Sequence, residues 1–322
     1  MDKPIRVLQV MSSMNRGGAE TMIMNIYRNI DRSKVQFDFV VHTNKKSDYE
    51  DEILSLGGRI FYVPRYTGKN HFAYRKAWKE FFDQHNEYKV IHGHVRSTAL
   101  IYLSIAKQFG LTTIAHSHNT ASDNNIKGLV KNILQYPLRY KADYLFSCSD
   151  LAGKWLFGEK AINRKNYFLL KNAIKARDFV YNEKIREEKR KELDLIDNLV
   201  IGHVGRFNYQ KNHSFLIDIF NQILKLENKA VLLLIGQGNL LEEIKEKVKK
   251  LKIEDKVIFT GVRGDIPELL QAIDLIIFPS FHEGLPVTMI EAQAAGVPCL
   301  ISSTITKEVV ITDLIRQMSI KL

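Results

Sequence analysis

Two carboxylates stand out in residues 278–302 because their surroundings are otherwise mostly apolar. Glu291 lies in the middle of a predicted helix, residues 287–295, that is apolar on nearly every face and should therefore be buried. A buried carboxylate without a partner is costly, so Glu291 needs hydrogen bonds from the protein or from a ligand. Glu283 lies in the turn before this helix, where free N–H groups and a partial positive charge favour phosphate.

These two acids allow two interpretations. In the simpler one, Glu291 is a structural carboxylate that caps a neighbouring loop, because acids with shifted pKa values often belong to structural networks. In the functional one, the acids bind hydroxyl-rich groups, a sugar and a ribose, on either side of a phosphate. The rest of the chain has to decide between them.

Two cations, five positions apart, occupy the loop after a predicted strand at residues 199–204. Arg206 can bind two phosphate oxygens at once and Lys211 adds a point charge, and together they suit a diphosphate. The alternative is a solvated basic loop, but Gly205 and the strand-end position argue against it. Gly236 ends the next strand in a Gly-Gln-Gly sequence and could also pass close to a ligand.

Two adjacent glycines, Gly17 and Gly18, lie between the first predicted strand and the first predicted helix. They would allow a ligand to approach the backbone closely, or they could serve only the turn. The chain contains neither the G-x-G-x-x-G sequence of dinucleotide sites nor the G-x-x-x-x-G-K-[ST] sequence of a P-loop. Both of these site types are therefore disfavoured.

Four histidines end two consecutive predicted strands: His92 and His94 the first, His116 and His118 the second, with Asn119 after them. Such a group suggests zinc, but no cysteine lies nearby and no familiar spacing supplies a third ligand. Because histidine donates and accepts near neutral pH, hydrogen bonding to an acceptor or a leaving group is favoured. We expect no metal ion.

The elements that position these residues follow an alternating pattern. Strand-like runs alternate with helical runs over residues 5–148 and again over residues 199–302. This pattern predicts an α/β protein with two doubly wound parallel sheets, whose ligands bind beyond the carboxyl ends of the strands. We expect a first domain at residues 1–170, a connection at 171–198 and a second domain at 199–322.

Composition bounds the class of protein. The chain has 322 residues, 45% hydrophobic and 26% charged, which suits two globular domains. No stretch is long and apolar enough to span a membrane and no signal peptide is evident, so we expect a cytoplasmic protein. Cys148 and Cys299 follow strand-like runs and are expected to be buried, reduced thiols. The net charge of +11 favours anionic partners, but the scattered basic residues argue against nucleic acid.

A family resemblance emerges at Arg206, Lys211, Glu283 and Glu291, with seven residues between the two glutamates. This set resembles the donor site of retaining glycosyltransferases of family 4, which have the fold called GT-B. In that fold two Rossmann-like, doubly wound domains face a central cleft. The sequences NRGGAE and HSHN are similar to those of the subgroup that builds exopolysaccharides and capsular polysaccharides. The resemblance covers essentially the whole chain.

The resemblance implies a role for each donor-site residue. Glu291 would bind the ribose hydroxyls of a nucleotide sugar, expected to be a UDP-sugar, and Glu283 would bind hydroxyls of the donor sugar. Arg206 and Lys211 would neutralise the departing diphosphate, and the absence of a D-x-D sequence agrees with cations in place of a metal ion. The other donor-binding residues would be Gly17 and Gly18 from the first domain, Gly236 after its strand, the pair Val262 and Arg263 near the base, and Gly284 and Leu285 through backbone N–H groups.

The resemblance also implies a catalytic set of His116, Glu283, Arg206 and Lys211. His116 best matches the family histidine near the reacting sugar carbon. His118 is the second choice, and His94 and Asn119 are further candidates for contact with the acceptor.

The activity expected from this resemblance is transfer of a hexose from a nucleotide-diphosphate sugar to a polyprenyl-linked oligosaccharide. The anomeric configuration would be retained, without cofactor or metal ion, in exopolysaccharide or capsule synthesis. The alternatives are a sugar-nucleotide epimerase of the same fold and a non-catalytic sugar-nucleotide-binding partner. Family members usually continue with helices that cross back to the first domain, whereas this chain stops at Leu322, so a truncated form with impaired activity is expected.

Residues 126–141 suggest a contact with the inner face of the cell membrane. A basic amphipathic helix can lie on anionic lipid. The alternative is a core helix with a solvated basic face. The residues concerned are the cations Lys127, Lys131, Arg139 and Lys141 and the apolar stripe of Leu129, Ile133, Leu134 and Tyr136.

Overall fold

The computed structural model describes residues 3–120, 132–133 and 135–320. The chain forms two compact units, Met1–Asn172 and Ala173–Leu322. Each unit contains one parallel sheet with helices in the crossover connections. The predicted α/β class, with two Rossmann-like parallel sheets, is confirmed.

The first unit is built on a seven-stranded sheet in the order β3-β2-β1-β4-β5-β6-β7, with every neighbouring pair parallel. Its strands are β1 (Ile5–Val10), β2 (Val35–Val41), β3 (Ile60–Tyr62), β4 (Val90–Gly93), β5 (Thr112–Ser117), β6 (Tyr144–Ser147) and β7 (Tyr167–Leu169). Its helices are α1 (Gly18–Asn29), α2 (Glu50–Ser55), α3 (His71–Gln84), α4 (Arg96–Gln108), α5 (Leu138–Lys141), α6 (Asp150–Phe157) and α7 (Glu159–Ile162).

The second unit is built on a six-stranded parallel sheet in the order β10-β9-β8-β11-β12-β13. Its strands are β8 (Leu199–Val204), β9 (Ala230–Ile235), β10 (Val257–Gly261), β11 (Leu275–Phe278), β12 (Cys299–Ser302) and β13 (Ile315–Met318). Its helices are α8 (Glu183–Glu192), α9 (His213–Ile223), α10 (Leu241–Leu251), α11 (Ile266–Ala272) and α12 (Val287–Ala294).

Each unit has its own apolar core. In the first, Trp78 on α3 stacks on Phe82 and on Tyr102 of α4, and all three are buried. In the second, the fully buried strand β9 packs with Phe207 and Phe220. Burial of such side chains supplies most of the driving force for folding.

The strand order reverses at β1 in the first sheet and at β8 in the second. β1 lies between β2 and β4, and β8 lies between β9 and β11. At such a switch point the connections leave in opposite directions and open a crevice beyond the carboxyl ends of the strands. The loops after β1 and β8 are therefore the places to seek a site in each unit.

Two edge strands were missing from the sequence-based assignment. β7 has three residues, two of them exposed, and β13 reads Ile-Arg-Gln-Met with polar residues at its centre. Short, half-exposed edge strands lack the continuous apolar pattern of the central strands of a parallel sheet. The alternating pattern therefore predicted the central strands but not these edges.

Helix α8 belongs to the second unit, although the sequence analysis placed residues 171–198 in a connection. Arg186 and Arg190 both form ion pairs with Asp274, and Lys189 forms one with Asp265. These pairs fasten α8 to both ends of α11. The high charge of this helix suggested a solvated linker, but in the structure several of its charged side chains form ion pairs with Asp265 and Asp274.

Cys148 and Cys299 are buried, as predicted. Among the described residues, no helix has the length and apolar character needed to cross a membrane. Residues 126–131 and 134 of the segment predicted to lie on lipid fall outside the described residues.

Candidate functional site in the second unit and a histidine cluster in the first

Lys211 and Glu283 form an ion pair, with Lys211 Nζ 2.8 Å from Glu283 Oε1. Both side chains are largely buried, and Lys211 Nζ also lies 4.3 Å from the centre of the Phe278 ring. Asn208 accepts a hydrogen bond from the Lys211 backbone N–H at 3.1 Å and so caps the turn that carries the lysine. The loops after β8 and β11 thus bring together a cation and an acid that both belong to the predicted site.

The same two loops are fastened by contacts that the sequence analysis missed. The Phe281 N–H donates to the Gln210 carbonyl oxygen at 2.9 Å, and Gln210 Nε2 donates to the His282 carbonyl oxygen at 2.8 Å. The Tyr209 ring stacks on Phe281 with 4.8 Å between centroids. Tyr209 lies two positions before Lys211, and Phe281 lies two positions before Glu283. This shared spacing of an aromatic residue and a charged one was visible in the sequence.

Gly236 and Gly205 meet where the loops after β9 and β8 touch. Gly236 has a φ of +141°, and a Cβ atom there would lie 2.2 Å from the Gly205 carbonyl oxygen. Only glycine fits such a position without a shift of the backbone. Close packing of two loops therefore explains Gly236, which the sequence had offered as a point of ligand approach.

Arg206 is exposed. Among residues that the structure describes, it has no hydrogen bond or ion pair to its guanidinium. It follows β8 directly, five positions before Lys211, so an unpaired cation and a paired one occupy the same loop. This arrangement leaves the guanidinium able to bind an anion in two-point fashion.

Glu291 lies on α12 with 9% of its surface exposed. Within the described ranges its carboxylate forms no hydrogen bond or ion pair, so the loop-capping interpretation finds no partner there. Burial raises the pKa of Glu291 to about 7. By contrast, Gln293 on the same helix accepts hydrogen bonds from the Ile311 and Thr312 backbone N–H groups. Protein groups therefore satisfy the Gln293 amide, whereas the Glu291 carboxylate has no partner in the part of the chain that the structure describes.

The remaining predicted donor-binding residues have mixed surroundings. Gly284 and Leu285 are buried in the turn between β11 and α12. Val262 is 39% exposed after β10. Arg263, however, is held by Asp265 at 2.5 Å and by Glu192 at 3.1 Å, so its guanidinium links α8 to the loop before α11. A structural contact thus accounts for Arg263 without a ligand.

In the first unit, the loop after β1 leads into α1 through Gly17 and Gly18. Gly17 occupies the position before the helix, and a Cβ atom added at Gly18 would meet no atom within 4 Å. Neither the space around Gly18 nor its backbone conformation requires glycine. The loop is braced by a neighbouring segment, since the Met14 N–H donates to Ser47 Oγ and the Arg16 N–H to Asp48. The turn alone therefore does not explain Gly18.

The four predicted histidines form one cluster at the ends of β4 and β5. His92 Nε2 lies 3.0 Å from His116 Nδ1, and His94 Nδ1 lies 2.7 Å from His118 Nε2. His116 is 2% exposed, whereas His94 and His118 are partly exposed. Asn119, predicted as an acceptor contact, turns back to accept a hydrogen bond from the Thr120 N–H at 2.8 Å.

Burial governs the charge of this cluster. It lowers the pKa of His92 and His118 to about 3 and lowers the pKa of His94 and His116 well below 6.5. All four imidazoles are therefore neutral at pH 7. Nitrogens of His92, His94 and His116 lie within 4.8 Å of one another and could converge on a metal ion. The expectation of a metal-free site stays a prediction.

Comparison with known proteins identifies the family of this chain, which contains two α/β units. The family model described as Glycosyltransferase Family 4 matches residues 16–176, and the model described as Glycosyl transferases group 1 matches residues 185–321. EpsF of Bacillus subtilis (strain 168), named as a glycosyltransferase, is 37% identical over 309 residues, which cover 94% of this chain and 80% of EpsF. The chain therefore belongs to the glycosyltransferases of family 4.

Two further comparisons carry specific names. The UDP-Gal:alpha-D-GlcNAc-diphosphoundecaprenol alpha-1,3-galactosyltransferase of Escherichia coli is 24% identical over 270 residues, covering 80% of this chain and 68% of the relative. The crystal structure of Anabaena HepE in complex with UDP-glucose matches with a TM-score of 0.82 at 18% identity, covering 98% of this chain and 85% of HepE. The latter likeness confirms the predicted GT-B fold class.

Proposed function

We propose that this glycosyltransferase moves a hexose from a UDP-sugar to a polyprenyl-diphosphate-linked glycan with retention of configuration. The product would enter exopolysaccharide or capsule synthesis. The observation that carries the proposal is Glu291, a buried carboxylate without a partner among the described residues. It lies on the helix that follows the turn bearing Glu283 and its partner Lys211.

The donor half of the proposal follows from charge. Breaking a glycosyl–phosphate bond builds negative charge on the departing diphosphate, and fixed cations stabilise that charge more in the transition state than in the ground state. Arg206 and Lys211 supply such cations, so the reaction would need no metal ion. Glu283 would accept hydrogen bonds from hydroxyls of the donor sugar while it holds Lys211 in place. Glu291 would accept hydrogen bonds from the ribose.

The acceptor half of the proposal is supported by the named acceptor of the Escherichia coli relative, a GlcNAc-diphosphoundecaprenol. Such an acceptor is anchored in a membrane. We therefore also propose that the enzyme works in the cytoplasm at the inner membrane face. The exopolysaccharide context is supported by the NRGGAE and HSHN sequences.

A thermal-shift screen across UDP-, GDP- and ADP-sugars tests the donor site. We expect a UDP-sugar to raise the melting temperature of the wild-type protein. The Lys211→Ala and Glu291→Ala variants should stay folded and bind the donor roughly ten- to a hundredfold more weakly, since each loses a hydrogen bond to a charged group. Transfer of labelled sugar to a synthetic polyprenyl-diphosphate acceptor measures the activity itself.

Matched controls separate a site effect from a general loss of charge. Glu242 and Lys247 lie on α10 in the same unit, where Glu242 pairs with Lys245 and Lys247 pairs with Asp218 of α9. The Lys247→Ala and Glu242→Ala variants should therefore retain the wild-type shift. A Lys211→Ala protein that binds the donor as tightly as wild type would contradict the proposal.

A further inference from the structure

A chain of side-chain hydrogen bonds in the first unit runs from β1 through the end of β4 to the end of β5. Gln9 Oε1 lies 2.9 Å from His94 Nε2, and His94 Nδ1 lies 2.7 Å from His118 Nε2. Gln9 is 1% exposed in the middle of the sheet, whereas His118 at the far end of the chain is partly exposed. The chain therefore links a buried amide to a histidine that a ligand can reach.

The direction of these hydrogen bonds follows from their chemistry. The Gln9 amide presents its oxygen to His94 Nε2, and an amide oxygen only accepts, so this orientation places a proton on His94 Nε2. His94 is neutral, so its Nδ1 has a lone pair and accepts in turn. His118 Nε2 must then donate, and because His118 is also neutral, its Nδ1 keeps a lone pair. One tautomer of His118 results.

We infer that Gln9 and His94 are positioning residues that hold His118 with its proton on Nε2 and leave Nδ1 available to accept a hydrogen bond from a sugar hydroxyl. The inference rests on the proposed transferase function. It gives the substrate contact to His118 and not to His116, the first choice from the sequence.

The other histidine pair is arranged differently. His116 is 2% exposed, and its Nδ1 is bound to His92. Its Nε2 is buried without a hydrogen-bond partner among the described residues. A ligand would have to displace protein to reach it. His118 is partly exposed, so a ligand can reach it without displacing protein. His94, which bonds to His118, is itself oriented by its second hydrogen bond, to Gln9.

Nitrogen NMR of the full chain tests the inference directly. Long-range 1H–15N spectra of histidine side chains distinguish an imidazole protonated at Nε2 from one protonated at Nδ1, and a His118→Gln variant identifies the His118 signals. We expect wild-type His118 to be protonated at Nε2. Protonation at Nδ1 would overturn the inference, because the donor and acceptor of each hydrogen bond from Gln9 to His118 would then be exchanged.

A variant pair tests the positioning role. Gln9→Met keeps the size of the buried side chain but removes its acceptor, so His118 should populate both tautomers. We expect kcat to fall about tenfold, as for loss of one hydrogen bond that acts in the transition state, while KM changes less than about twofold. Gln36→Met is the control, since Gln36 is also buried but bonds to Tyr27 on the far side of β1 from the histidines.

The outcomes separate this inference from the proposed function. A Gln9→Met protein with one His118 tautomer and wild-type kcat would overturn the positioning role even if transfer occurs. A wild-type protein with the expected tautomer but no transfer to any polyprenyl-linked acceptor would count against the proposed function alone. If Gln9→Met does not fold, the wild-type spectrum still decides the direction of the chain.

Discussion

At the scale of single residues, the second unit holds two acids in opposite circumstances. Glu283 is paired with Lys211 at 2.8 Å, whereas Glu291 is buried and has no partner among the described residues. A buried carboxylate without a partner destabilises the apo protein, but it can accept hydrogen bonds from the hydroxyl groups of a ligand. The contrast predicts a measurable conflict between stability and binding at Glu291.

Glu291→Gln should stabilise the apo protein at alkaline pH. Burial raises the pKa of Glu291 from the ordinary 4.5 to about 7, so its neutral form favours folding and the benefit is lost as pH rises through 7. At pH 8 the variant should be more stable by on the order of 3 kcal/mol, and at pH 4 the two proteins should be similar. Chemical denaturation at both pH values measures the difference.

The control for this prediction is Glu242→Gln, a change at an exposed acid of α10. Its stability relative to wild type should not depend on pH by more than a few tenths of a kcal/mol. Equal stability of Glu291→Gln and wild type at pH 8 would show that the Glu291 carboxylate has a partner or water access that the structure does not reveal.

At the scale of elements, the loops at the carboxyl ends of β8, β9 and β11 depend on one another. The loop after β8 contacts the loop after β9 at Gly236, and it contacts the loop after β11 through Gln210. Tyr209 and Phe281 stack across the latter contact. The Lys211–Glu283 pair is therefore held by two loops that brace each other.

Gly236→Ala and Gly261→Ala form a matched pair at the ends of neighbouring strands. Both glycines have positive φ, but an added Cβ would lie 2.2 Å from the Gly205 carbonyl oxygen at Gly236 and would meet nothing within 4 Å at Gly261. We expect Gly261→Ala to cost about 1–2 kcal/mol, from the backbone conformation alone. Gly236→Ala should cost on the order of 3 kcal/mol or more, because the clash adds to it.

Chemical denaturation measures these costs, and donor binding provides a second comparison. Gly236→Ala should also weaken UDP-sugar binding, since the loop that carries Arg206 and Lys211 must shift. Gly261→Ala should bind nearly as wild type. Equal destabilisation by the two substitutions would mean that the loops after β8 and β9 do not pack as closely as described.

At the scale of the whole molecule, the chain carries a formal net charge of +11. Near α5 in the first unit, Tyr136 and Tyr140 are more than half exposed, and Arg139 lies 4.1 Å from the centre of the Tyr136 ring. Exposed aromatic rings beside cations suit the interface of an anionic bilayer. This surface supports the proposed membrane contact, independently of the residues that the structure does not describe.

Vesicle sedimentation tests that contact. The wild-type protein should pellet with vesicles that contain phosphatidylglycerol and stay in solution with purely phosphatidylcholine vesicles. Tyr136→Ser combined with Tyr140→Ser should reduce pelleting several-fold. Tyr62→Ser is the control, because Tyr62 is similarly exposed but lies on β3 at the opposite edge of the sheet. Recovery of wild type in the supernatant with both vesicle types would contradict the proposal.

Local patterns were enough to predict the α/β class and the position of chemically capable residues at strand ends. Alternation of strand and helix depends on nearest neighbours along the chain, and a glycine or a cation after an apolar strand is visible without a fold. The edge strands β7 and β13 escaped because their few residues carry little of that pattern. The attachment of α8 to the second unit was not predicted, because Asp274, the partner of Arg190 on α8, is more than eighty positions away in the sequence.

The sequence by itself determined that two cations and one acid would lie at the carboxyl ends of parallel strands in one unit, with a second acid in the helix that follows. It also placed four histidines at strand ends in the other unit. Only the tertiary structure decided that Lys211 meets Glu283, that Glu291 is left without a partner among the described residues, and that His118 is reachable while His116 is buried. The physical reason is strand order. Pairing of β8 with β11 and of β4 with β5 sets which loops touch, and such long-range choices leave no periodic trace in the chain.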